Sequence, residues 1–260
     1  MFEKINTLLV KIKKEKPLIL NITNYVTMDF VANGLLSLGA SPVMSHATEE
    51  IGDLISLANS IVINLGTLDK NFFKLCEHAC LIANQLKKSI ILDPVGAGAS
   101  RYRTKMALKL INDYDISIIR GNASEVIALS GLSCVTKGVD SAVQSDQAIE
   151  SAKMISTHHN ITVIVSGEVD QVIEANTVQS FFYGSPLMPM ITGSGCLLSA
   201  VVGTFHAIQK NKVEASIAAT VFYGICGEIA SKKTNSPGSF KTEFLNALNL
   251  MPIREDYAKK

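Results

Sequence analysis

Short apolar runs recur along the chain at residues 18–20, 42–44, 61–63, 90–92, 116–119 and 162–165. Each is too short for a helix and several are rich in Ile and Val, which predicts buried strands. Between most of them lie stretches with apolar residues at helical spacing, at 69–88, 101–113 and 141–158. Alternating strand and helix predicts an α/β fold, a three-layer sandwich whose mainly parallel central sheet carries helices on both faces. In such sheets ligands collect at the carboxyl ends of the strands, so the polar residues that follow each apolar run are the candidates for chemistry. After about residue 171 the rhythm changes, and 171–183 reads as a hairpin, an antiparallel edge to the sheet. Three helical stretches close the chain at 194–209, 213–231 and 239–250, the last with Ser239 at a capping position. There is no internal repeat and no low-complexity segment.

Composition narrows the picture. The 260 residues are 47% hydrophobic and 18% charged, enough for a large core, and the expectation is one domain over residues 1–260. With 24 basic and 23 acidic side chains the net charge is +1, so no broad positive field exists to hold nucleic acid or an anionic membrane. Small molecules are the expected partners. Residues 175–209 carry no Asp, Glu, Lys or Arg, but Gly184, Pro186, Pro189, Gly193 and Gly195 interrupt them before a membrane-spanning length accumulates. The start Met-Phe-Glu-Lys-Ile-Asn lacks the pattern of a secretory signal, which predicts a cytoplasmic protein. Five cysteines, at 76, 80, 134, 196 and 226, are an odd set without metal-ligand pairing and fit reduced thiols. Cys76 and Cys80 read as core packing on one helix face, and His158 with His159 as a solvated helix end.

The most informative stretch is Ile191-Thr-Gly-Ser-Gly-Cys196, a glycine-punctuated turn running into an apolar helix. Gly193 and Gly195 let the backbone turn so that the free amides of the first helical turn converge on one spot, which suits a phosphate or a developing oxyanion. Cys196 lies on that turn, where the positive helix end is expected to lower its pKa. The same residues also read as a plain tight turn with a small core thiol. Two other stretches end strands with charge. Asp93 precedes the loop Pro-Val-Gly-Ala-Gly-Ala-Ser100, and Arg120 precedes Gly-Asn122-Ala-Ser-Glu125 on the opening turn of a helix. Asp93 and Glu125 would suit Mg²⁺, which takes one or two carboxylates together with nucleotide oxygens and water. The fork of Arg120 suits phosphate. Structural alternatives are a helix cap at Asn122, a dipole partner at Glu125 and a surface ion pair at Arg120. No Gly-x-x-x-x-Gly-Lys-Ser/Thr loop, no Gly-x-Gly-x-x-Gly after the first strand and no nucleophile elbow occurs.

Taken together with Asn21-Ile-Thr-Asn-Tyr-Val26, Ala32-Asn-Gly-Leu-Leu-Ser-Leu-Gly-Ala-Ser-Pro-Val-Met44 and Pro237-Gly-Ser-Phe240, these motifs resemble the hydroxyethylthiazole kinases, a ribokinase-like family of thiamine biosynthesis and salvage. The resemblance runs from Asn21 to Phe240. It implies transfer of the ATP γ-phosphoryl group to the primary alcohol of 4-methyl-5-(2-hydroxyethyl)thiazole, with Mg²⁺ as cofactor. It places Arg120 and Ser166 with ATP and Met44 and Gly193 with the thiazole; beside these, the reading of the residues adds Asn122 and Gly195 to the ATP side, Asn24 to the thiazole side, Asp93 and Glu125 to the metal, and Cys196 near the acceptor hydroxyl. Ser166 stands where the family more often has Thr, and related sugar kinases carry Asp where this chain has Cys196. The family also implies a homotrimer with the thiazole pocket between neighbouring subunits. Rival readings are a kinase of another vitamin-precursor alcohol such as hydroxymethylpyrimidine, an ATP-dependent dehydratase, and a non-catalytic ligand sensor.

Overall fold

The computed structural model describes residues 1–131 and 141–254, so Cys134 lies outside the described residues. The chain opens with α1 (Phe2–Glu15), whose Ile5, Leu8, Leu9 and Ile12 make one buried stripe at helical spacing. It then alternates: β1 (Leu18–Ile22), α2 (Met28–Leu38), β2 (Ser41–Met44), α3 (Ile51–Leu57), β3 (Ser60–Asn64), α4 (Lys70–Gln85), β4 (Ile90–Asp93), α5 (Arg101–Asp113), β5 (Ile118–Asn122), α6 (Ala123–Leu129), α7 (Ser141–His159) and β6 (Thr162–Ser166). The hairpin β7 (Asp170–Glu174) and β8 (Thr177–Phe181) follows, then α8 (Ser194–Ile208), α9 (Lys212–Ser231) and α10 (Pro237–Leu248).

All eight strands form one sheet in the order β2-β1-β3-β4-β5-β6-β7-β8. Pairing is parallel from β2 to β6, and antiparallel from β6 through β7 to β8, as the change of rhythm near residue 171 predicts. Strands β3 and β4 are buried along their whole length, because helices cover both faces and leave no side for water. One core joins α1, α2, α8, α9 and α10 to one face of the sheet, and a second joins α3 to α7 to the other.

Two boundaries differ from expectation, each for a local reason. β5 runs to Asn122, because Arg120, Gly121 and Asn122 continue the ladder against Ile164, Val165 and Ser166 of β6 after the apolar side chains stop. The final helix starts at Pro237, with Ser236 at the cap position and no side-chain capping bond, so Ser239 lies inside the helix instead of capping it. Proline at the first helical position accounts for the earlier start, since its missing N–H costs nothing there. Helices α1, α2 and α3 add to the elements expected from the apolar runs.

Residues 175–209 hold β8, the glycine turn and α8. The one helix among the described residues that is long and apolar enough to cross a membrane is α9, and 78% of its apolar window is buried inside the fold, as a core helix requires. Cys76, Cys80 and Cys226 are buried, and burial pushes the Cys80 thiol up to about 12, which makes the first two packing residues. His158 and His159 close α7 with their rings in edge contact at 4.6 Å.

Candidate active site

The carboxyl ends of the parallel strands open where the N-terminus of α8 packs across them. Gly193 takes φ 92 at the head of α8, a conformation that costs a residue with a β-carbon but not glycine. No side chain among the described residues caps this start, so the opening amides at Gly195 and Cys196 are open to a ligand or to water. From below, the buried Tyr223 hydroxyl donates to the Ser194 carbonyl at 2.6 Å and fixes the turn.

Charge reaches this turn through space. Residues 175–209 contain none, yet Arg120 on β5 lies directly against Gly195, where a β-carbon would meet its Nη1 at 2.5 Å. The absence of charged residues from the turn itself therefore does not leave a phosphate to backbone amides alone. Arg120 donates to Ser166 Oγ at the end of β6, and its Nη1 stands 3.9 Å from Asp93 Oδ2. Its side chain is only 11% exposed and its Nε has no partner, which removes the surface ion-pair reading. A cavity of about 730 Å³ opens beside it. Arg120, Asn122, Ser166, Ser194 and Gly195 line its polar side, and Phe182, Tyr183 and Met188 its apolar side. Asp170 lines it too. Burial pushes the Asp170 carboxyl up to about 6, against the Gly167 N–H that donates to it at 3.0 Å and the charge of Arg120.

Behind the turn runs a buried polar chain. Asn24 Nδ2 donates to Cys196 Sγ at 3.4 Å and to Asn64 Oδ1 at 2.8 Å. Asn64 Nδ2 donates to Asp93 Oδ2 at 2.7 Å, and Ser199 Oγ donates to the same oxygen at 2.8 Å. Asp93 is fully buried, and burial pushes its carboxyl up to about 6, with Glu125 adding to the rise while Arg120, Ser199 and Asn64 oppose it. Its other oxygen, Oδ1, is buried with no partner. Glu125 receives two amides, from Gly96 at 2.9 Å and from Asn122 at 2.9 Å, the second as half of a capping box in which Asn122 Oδ1 accepts from the Glu125 N–H. Asn122 thus caps α6 and lines the cavity at once.

The thiol departs from expectation. Burial first, and the nearby Asp93 second, raise the Cys196 pKa, so the position on the first helical turn does not lower it. The polar groups around the sulfur, Thr27, Asn64 and Asn24, the last of which donates to it, work in the opposite direction without reversing the shift. Asn24, expected on the thiazole side, spends its amide on Thr27, Asn64 and Cys196 and so lies beside the thiol. Met44 ends the edge strand β2, paired with Asn21 of β1, and packs half-buried against the core on the α8 side. Asn64, Ser199, Asp170 and Tyr223 are parts of the site beyond those picked from the sequence. Asn64 carried a readable signal, a polar residue directly after an apolar run. Asp170, Ser199 and Tyr223 carried none, since only the packing of separate elements brings them here.

Comparison with known proteins agrees in fold and in sequence. The family model described as Hydroxyethylthiazole kinase family matches residues 9–254. A hydroxyethylthiazole kinase of Brachyspira hyodysenteriae is 42% identical over 253 residues, covering 97% of this chain and 96% of the relative. One from Methanococcus maripaludis is 43% identical over 236 residues, covering 90% and 88%. The solved hydroxyethylthiazole kinase protein of Pyrococcus horikoshii superposes with a TM-score of 0.88 at 36% identity, covering 98% of this chain and 95% of that one. A ribokinase-like superfamily protein from Enterococcus faecalis shares the fold, with a TM-score of 0.66 at 14% identity, over 95% of this chain and 89% of its own.

Proposed function

The chain belongs to the hydroxyethylthiazole kinase family, and from that premise we propose that it transfers the γ-phosphoryl group of ATP to the primary alcohol of 4-methyl-5-(2-hydroxyethyl)thiazole by direct in-line displacement. One observation carries the reading: uncapped amides, a guanidinium and a thiol converge on the first turn of α8. Phosphoryl transfer asks little covalent help of a protein, so positioning and charge stabilisation do most of the work. The amides at Gly195 and Cys196 face the moving phosphoryl and offer donors where negative charge concentrates. Arg120, held by Ser166, neutralises the nucleotide phosphates from the opposite side of the turn. The alcohol oxygen bonds to the γ-phosphorus as the bond to the bridging oxygen of ADP breaks, and the alcohol proton passes to Cys196 Sγ. Asn122 and Gly195 flank the nucleotide, Gly193 and Met44 border the thiazole, and Asn24 holds the thiol.

The residues present fit Mg²⁺. Asp93 offers a buried oxygen with no partner, and the Glu125 carboxylate keeps lone pairs beyond the two amides it accepts. Bound there, the cation would offset charge on the nucleotide phosphates. The proposal also takes the chain as one kinase domain, cytoplasmic, and a homotrimer with the thiazole pocket between subunits, the last carried by the family resemblance and read by sedimentation. The test of function is direct. Purified protein is incubated with ATP, Mg²⁺ and a panel of vitamin-precursor alcohols, and ADP and phosphorylated product are sought by mass. Thiazole phosphate as the main product is expected; preferential phosphorylation of a pyrimidine or pyridine alcohol overturns the substrate assignment.

A further inference from the structure

The buried chain from Asp93 to Cys196 has a direction, and the chemistry of its members sets it. A carboxylate only accepts hydrogen bonds, so Asn64 must present its NH₂ to Asp93 and its carbonyl oxygen to the other side. The Gly66 N–H, donating to Asn64 Oδ1 at 3.0 Å, agrees with that orientation. Asn64 Oδ1 then requires a donor from Asn24, which it receives at 2.8 Å. With its NH₂ turned that way, Asn24 directs its carbonyl oxygen to the Thr27 N–H at 3.1 Å and its remaining N–H to the sulfur at 3.4 Å. Asn24 and Asn64 are 4% and 1% exposed, so water does not offer either amide an easy alternative partner.

We propose that Asn64 is a positioning residue for phosphoryl transfer, relaying the polarity of Asp93 through Asn24 so that a hydrogen-bond donor, never an acceptor, faces Cys196 Sγ. The relay ties the acceptor side of the site to the carboxylate beside Arg120 across two adjacent strand ends. It favours the sulfur when it is charge-rich, which is the form that takes up the alcohol proton. It also keeps the Asn24 amide from flipping, which would turn a carbonyl oxygen toward the sulfur. This inference rests on the reading that Cys196 receives that proton.

A double-mutant cycle tests it on the intact enzyme. Asn64→Leu keeps the approximate volume and removes the relay. The expected result is a kcat lower by about tenfold to a hundredfold with the KM for ATP within about twofold, and less than about twofold further loss when the change is added to Cys196→Ala. Asn64→Ser serves the same purpose should the Leu variant fold poorly, since a hydroxyl cannot span from Asp93 to Asn24, and the same losses are expected. Parental kcat in a folded Asn64 variant overturns the relay. So does a full, multiplicative loss on top of Cys196→Ala, because Asn64 would then act on something other than the thiol. Parental kcat in Cys196→Ala alone defeats the proton-acceptor reading itself, a result distinct from either failure of the relay.

Discussion

The guanidinium of Arg120 lies against Gly195, so close that a β-carbon there would come within 2.5 Å of Nη1 and 3.0 Å of Nη2. A strand end and a helix start far apart in sequence thus meet, with open amides from α8 and positive charge from β5, the pairing on which the proposed phosphate site rests. Glycine at 195 is required by this approach, since its φ lies outside the left-handed region that only Gly193 occupies in the turn.

Gly195→Ala should therefore fold and bind ATP poorly. Alanine suits the first turn of a helix, so the loss comes from moving the guanidinium off the phosphates. We expect the KM for ATP to rise about tenfold with the thiazole KM little changed. ATP saturation curves at fixed thiazole alcohol decide the point, and a parental KM would place the phosphates away from Arg120.

Glu125→Ala separates the metal from the helix cap. Losing the capping box should cost about 1 kcal/mol of stability, read by chemical denaturation. Losing the carboxylate should raise the Mg²⁺ concentration needed for half-maximal rate. Superimposable Mg²⁺ titrations of variant and parent would leave Glu125 with its structural role alone.

How much of this could be read from the chain follows from where each signal lives. The parallel sheet was legible because fully buried strands such as β3 and β4 are continuous apolar runs. Helix α1 carries its own helical periodicity, with Ile5, Leu8, Leu9 and Ile12 on one stripe. Asp93, Arg120 and Glu125 stood out because a charge beside a buried strand end is expensive unless it has work to do. Gly193 and Gly195 announced a turn, but the approach of Arg120 to that turn depends on how α8 crosses the sheet. The ionisation of Cys196 runs against the sequence expectation for the same reason. A helix N-terminus is visible in sequence, whereas the burial and the Asp93 charge that outweigh it are properties of the assembled fold.

Asp93 is held at a cost to stability, and the sign can be worked out. Its folded pKa of about 6 lies above the ordinary carboxylate value, so the folded state holds the proton more tightly than the unfolded chain does. Stability therefore falls as pH rises through the window from about 4 to 6, and the cost is absent below it. Asp93→Asn carries no such penalty, and its amide oxygen can still accept from Asn64 and Ser199. In the absence of nucleotide and metal the variant should be more stable than the parent above pH 6, by on the order of 3 kcal/mol, and equal to it near pH 4. Urea unfolding at the two pH values measures the difference, and kinase activity should be lost throughout. A variant less stable than the parent at pH 7 would show that the buried carboxylate is a net stabiliser.

Cys196 gives the last test, because its raised pKa makes a definite demand on the pH profile. A thiol lifted by burial and by Asp93 is mostly protonated at neutral pH, and only its ionised form can accept the alcohol proton. The rate should thus climb as pH is raised from neutrality into the alkaline range, where the parent gains thiolate. Cys196→Ala should turn over about tenfold to a thousandfold more slowly without falling to zero, since orientation, the amides of α8 and Arg120 remain. Its profile should also be flat over the limb on which the parent rises. Measuring kcat at saturating ATP and thiazole alcohol between pH 6.5 and about 9.5 for both proteins reads both expectations together. A variant that keeps the rising limb assigns it to some other group, and one that keeps the parental rate removes the sulfur from the reaction.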